Sequence, residues 1–184
     1  MTDSRTQATY QVRLGWGSRA LSALAMSGIV VVVDAIPSGS ASGTQSGAQA
    51  SIAADAAALS HGPAVFTGSL RNATATAKAA FDEQVARGGR TAINLVLVGD
   101  EGAFAVEDYL AAGAIADGLT SLGLDHSSPD VAVAAEGFRA LKRALKHLLS
   151  ASAAGLELAE LGRRDEVKAA AELDAEAEAS RYEP

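Results

Sequence analysis

Two stretches of the chain are almost uninterrupted runs of apolar side chains. Ile29 to Val33 reads Ile-Val-Val-Val-Val and stops at Asp34; Ile93 to Val98 reads Ile-Asn-Leu-Val-Leu-Val and stops at Gly99 and Asp100. Short runs rich in branched residues and free of charge are what strands covered on both faces of a parallel sheet require. Two weaker segments join them. Tyr10 to Leu14 alternates apolar with polar, and Ala64 to Thr67 is a brief run after the break at His61, Gly62 and Pro63.

Between and after these strands the period lengthens to that of helices. Arg19 to Met26, Ser51 to Leu59 and Ala73 to Arg87 have helical character, the last closed by Gly88 and Gly89. Another helix follows the Gly99 to Gly102 turn, with Glu107 and Asp108 in its first turns. From Pro129, the positions Val131, Ala134, Phe138, Leu141, Leu145 and Leu148 predict one continuous surface helix, whose Arg and Lys residues face solvent. Gly155 to Leu161 predicts a short helix, Val167 to Glu178 an acidic helix or frayed tail, and no strand is expected in this last third. Strands alternating with helices predict a three-layer α/β/α fold, with a mainly parallel sheet and a helical C-terminal third, in a single domain over residues 1–184.

Composition narrows the function classes. With 48% hydrophobic but only 4% aromatic residues, Ala, Val and Leu must fill the core. A net charge of -7 without a basic stripe argues against nucleic acid, since phosphate contacts need clustered Lys and Arg. No apolar run approaches the roughly 20 residues that span a bilayer, and Met1 to Tyr10 lacks the apolar segment of a secretion signal, so no membrane partner and a cytoplasmic location are expected. The absence of Cys removes disulfides, thiolate metal sites and a Cys nucleophile; His61, His126 and His147 are too scattered for a His-based metal site.

Three strand-to-helix turns carry the candidate chemistry. Asp34 ends the first apolar run and leads into a Gly- and Ser-rich loop with Ser38, Ser40 and Ser42. Gly68 to Asn72 contributes Ser69, Arg71 and Asn72, and Gly99 to Asp108 contributes Glu101, Glu107 and Asp108. A parallel sheet would bring all three turns to one edge, where ligands of open α/β sheets bind. Each residue also has a plainer use. Acids favour helix starts through the helix dipole, Ser69 or Asn72 can cap a helix, Asp34 can cap its turn, and a Gly/Ser loop can be a simple connection. No Gly-Lys-Ser or Gly-Lys-Thr marks a Walker loop.

The segments QVRLGWG, VVVVDAI, TGSLRNATATAKAA, GDEGAFAVEDYLAAGAIADGL and ELGRRDEVKAAAELD, in this order, resemble the 2-phosphosulpholactate phosphatase family. Its members are Mg-dependent enzymes that hydrolyse a phosphate ester in coenzyme M biosynthesis. The resemblance implies Mg held by Asp34, Glu101 and Asp108, catalysis by Asp34, Glu107 and Asp108, and a small phosphorylated acidic metabolite held by Ser38, Ser40, Ser42, Ser69, Arg71 and Asn72. Which carboxylate acts as base stays open. The chain departs from the family in its middle: Pro-Ser-Gly-Ser-Ala-Ser replaces the usual Arg-Ala-Thr-Thr or Ser-Phe-Thr-Thr continuation. An Ala-rich stretch from Gly47 to Leu59 replaces the longer segment with its Gly-Glu-Arg-Gly-Gly and Thr/Ser-Asn-Gly motifs. Two functions are therefore expected as alternatives: a phosphatase-like hydrolase, or a catalytically degenerate member that binds a phosphorylated or acidic metabolite or serves in a homo-oligomer.

Overall fold

The structure, a computed structural model, describes residues 4–36 and 47–183. The apolar runs form four parallel strands, β1 (Val12–Trp16), β2 (Ile29–Val33), β3 (Ala64–Gly68) and β4 (Ile93–Leu97), in the spatial order β1-β4-β2-β3. Trp16 pairs with Leu97, Leu97 with Val33, and Val33 with Gly68, so all four strands end on one line. The turns that follow them therefore share one edge of the sheet.

Alternation along the strands divides the core in two. Ile29, Val31 and Val33, with Leu95, Leu97 and Phe66, pack on one face under α3 (Ala73–Ala86) and α4 (Val106–Ser121). Val30, Val32, Val65 and Val96 face the opposite side, covered by α1 (Ala20–Ala23) and α2 (Gly47–Ala57). Beyond α4 lie α5 (Pro129–Leu141), α6 (Leu145–Ala151), α7 (Ala153–Glu160) and α8 (Arg164–Ala170). Sandwiched between sheet and α5, α4 is buried over most of its surface, which explains its Ala- and Gly-rich sequence. At Gly113 the approach leaves no room for a side chain, because a Cβ there would collide with the Ala134 carbonyl of α5. Gly113→Ala should push the two helices apart and cost about 2 kcal/mol, as overpacking typically does; a drop in the urea midpoint checks this, and an unchanged midpoint would contradict the packing.

The three-layer α/β expectation holds, with differences of detail. The helix expected to run on from Pro129 stops at Leu141 and resumes at Leu145 after a 3-10 turn, Lys142–Ala144. The helix expected from Arg19 to Met26 is the single turn Ala20–Ala23. The last third does contain a strand: β5 (Ser180–Arg181) pairs antiparallel with β3. Of the segment expected as an acidic helix or frayed tail, Val167 to Ala170 is helical, within α8, and the part beyond it is held to the β3 turn, where the Asp174 and Glu176 backbone N–H groups donate to Leu70 and Arg71 carbonyls at 3.0 and 2.8 Å. Asp174 also accepts from the backbone N–H and hydroxyl of Thr74, both at 2.8 Å, and so caps α3 from a distant part of the chain.

The outer edge of β1 is closed by other means. Val12 donates to the His126 carbonyl and accepts from the Ser128 N–H. The side-chain amide of Gln7 takes the place of a neighbouring strand beside Leu14, accepting from its N–H at 3.1 Å and donating to its carbonyl at 2.9 Å. Among the described residues, no helix is long and apolar enough to cross a membrane.

Candidate active site at the β2 and β4 turns

The chain leaves β2 towards α2 on the thin side of the sheet, and leaves β4 towards α4 on the thick side. These neighbouring strands therefore flank the topological switch point, where diverging connections open a crevice. Asp34 stands at the end of β2, only 5% exposed. Across from it, the chain leaving β4 turns sharply through Gly99, Asp100, Glu101 and Gly102. Asp100 and Ala103 exchange backbone hydrogen bonds at 3.2 and 2.7 Å. Gly99 has φ +68° and a Cβ there would strike the Ala103 carbonyl oxygen, so only glycine suits the position. Glu101 adopts φ +48° without that freedom, a mildly strained backbone at an exposed apex.

Asp108, in the first turn of α4, joins the two sides. One carboxylate oxygen accepts from the Ala35 N–H beyond β2 and the other from the Gly99 N–H beyond β4, each at 2.7 Å. Both donors belong to turns that have left the sheet ladder and would otherwise lack this acceptor, the Ala35 N–H in a buried setting and the Gly99 N–H in a partly buried one. Burial pushes the Asp108 carboxyl well above the ordinary range, the charge of Asp34 adds to this and that of Glu107 adds less, while the two backbone donors pull the other way. Three buried acids thus lie within electrostatic reach of one another.

The crevice opens into a cavity of about 610 Å³ lined by Asp34, Glu101, Glu107 and Asp108, with Phe104 on the β4 side and Glu157 from α7. These four acids are the predicted site residues that the fold brings together. The β3 turn closes on itself instead. Asn72 accepts from the Ser69 N–H at 2.8 Å, and the Ser69 hydroxyl accepts from the Arg71 N–H at 3.1 Å. Arg71 is directed to the C-terminal segment, donating to Glu176 at 2.8 Å and to the Ala169 carbonyl at 2.7 Å, with Glu172 at 3.6 Å. Ser38, Ser40 and Ser42 lie outside the described residues. Sequence reasoning passed over Glu157 and Phe104; nothing in their local pattern marks them, because only the packing of α7 and the β4 turn brings them to the cavity.

A mainly parallel α/β sheet with an acidic crevice at its switch point defines a protein built to handle a small ligand at that edge. Residues 40–179 match the family model for 2-phosphosulpholactate phosphatase, and the chain belongs to that family. No curated protein matches the chain.

Among the described residues, no three Asp, Glu, His or Cys side chains converge closely enough to hold a metal by themselves. The crevice nevertheless offers an all-oxygen donor set, and Mg commonly takes only one or two carboxylates, filling its remaining positions with water and substrate phosphate. The donor chemistry fits that ion.

Proposed function

We propose that the chain is a Mg-dependent hydrolase of phosphoric monoesters that acts on a small acidic phosphate ester. The observation that carries this reading is the convergence of Asp34, Glu101, Glu107 and Asp108 on one crevice, three of them buried. Buried like charges are costly without a countercharge, and a hard divalent cation suits this donor set. Asp34 and either Glu101 or Asp108 would hold it, with water and substrate phosphate in the remaining positions. Bound there, Mg would neutralise phosphoryl oxygens and polarise the phosphorus.

The chain's own residues do the remainder. Asp108 fixes the spacing of the β2 and β4 turns, and Glu107, the third buried acid of the crevice, would take a proton from attacking water. Water oxygen bonds to phosphorus, the ester P–O bond breaks with its electron pair on the leaving oxygen, and that oxygen gains a proton from solvent. The products are alcohol and inorganic phosphate. Ser38, Ser40 and Ser42 are proposed donors to the phosphoryl oxygens. For Ser69, Arg71 and Asn72 the contacts favour holding the β3 turn in place over touching the ester.

With Arg71 committed to the C-terminal segment, the described lining leaves a single cation, Arg19, for an ester that bears both sulfonate and carboxylate. Phosphate release should therefore require Mg, stop on chelation, and be faster with phospholactate than with 2-phosphosulpholactate. Efficient turnover with a preference for 2-phosphosulpholactate would contradict the ranking. Binding of these esters without any turnover would assign the crevice to a non-catalytic binder.

A further inference from the structure

We propose that Arg19 is the residue that selects substrates by a second anionic group, separate from the phosphate; this rests on the function proposed above. A side groove of about 320 Å³ adjoins the acidic cavity and is lined by Gly17, Ser18, Arg19, Ser51 and Asp55. The two cavities share Ala48, Val98, Gly99 and Glu101, so one ligand can extend from the first into the second. Asp34, Glu107 and Asp108 line only the larger one, which separates the phosphate end from the groove.

Charge makes the assignment. Among the described residues lining either cavity, Arg19 is the one cation, set against Asp34, Asp55, Asp100, Glu101, Glu107, Asp108 and Glu157. The other arginine of the candidate turns, Arg71, is tied down by Glu172, Glu176 and the Ala169 carbonyl. Arg19 is exposed and, among the described residues, its guanidinium has no ion-pair partner. Its backbone is fixed beside the β4 turn. Gly17 donates to the Leu97 carbonyl at 2.7 Å, Ala20 donates to Gly17 at 3.0 Å, and Ala20 is buried. A planar guanidinium held there can form paired hydrogen bonds to a carboxylate or sulfonate.

Calorimetry in the presence of Mg, with two non-hydrolysable phosphonates that share a three-carbon chain, tests this directly. 3-Phosphonopropionate carries the second anion and propylphosphonate does not. The wild-type chain should bind the first about tenfold more tightly or better, in line with a charge-assisted contact. Arg19→Ala should erase that difference while leaving propylphosphonate affinity and thermal stability unchanged, and Arg19→Lys should restore part of it. Equal wild-type affinities, a preference that survives Arg19→Ala, equal loss for both ligands, or no binding of either would each overturn the assignment. If no ester is hydrolysed but the phosphonates are discriminated through Arg19, the catalytic reading fails and this one stands.

Discussion

Replacing Asp108 with alanine should destabilise the chain by about 3 kcal/mol, because the Ala35 and Gly99 N–H groups lose their acceptors inside the protein, and each buried orphan donor costs roughly 1–3 kcal/mol. Release from burying a carboxylate near Asp34 offsets part of this. For a chain of this size the melting temperature should fall by about 6–12 °C. Asp108→Asn separates the contributions: its amide can accept one N–H but turns a donor towards the other, so it too should be destabilising. The pH dependence has a definite sign. Burial and the charge of Asp34 raise the folded-state carboxyl above its ordinary 3.8, so over that window the native state holds a proton that the unfolded chain has released. The stability contributed by this shift is fully present below 3.8 and is lost as pH rises through the raised value. The advantage of wild type over Asp108→Asn should therefore narrow from acidic towards neutral pH. Urea melts of both proteins across this range would show it, and a gap that widens would sink the account.

The second large effect is expected at Asp34. Asp34→Asn should reduce phosphate release by about 100-fold or more, equivalent to roughly 2.7 kcal/mol of transition-state stabilisation, and should weaken Mg binding measured by calorimetry. The carboxyl of Asp108 should at the same time titrate lower, because a neighbouring negative charge that raises it is gone. Carbon-detected NMR of the Asp108 carboxyl follows this independently of turnover. Unchanged Mg affinity together with unchanged Asp108 titration would remove Asp34 from the crevice chemistry.

Much of the fold was legible because each strand's apolar run is itself a statement of burial. Val30 and Val32 face one side of the sheet and Ile29, Val31 and Val33 the other, and only a two-sided sheet accepts both sets. The acids were legible because they follow such runs, flanked by glycine. The bridging role of Asp108 was not, since it depends on β4 lying between β1 and β2, an order that the local pattern does not encode. The position of Arg71 was hidden for a similar reason: its partners lie about a hundred residues along the chain. β5 is too short to carry a periodic signal, and Arg19 reads locally as nothing more than the start of a helical turn.

The amide of Gln7 beside Leu14 has a bearing on how copies of the chain could meet. Together with the contacts of Val12, it leaves the outward-facing peptide groups of both residues already occupied. An unpaired edge strand invites a second chain to extend the sheet and is a common starting point for aggregation. Here that route is stopped by a side chain, on the strand next to β4. Copies of this protein that met at the β1 side would then have to use the helical surfaces there, since β1 cannot be extended by a further strand at these residues.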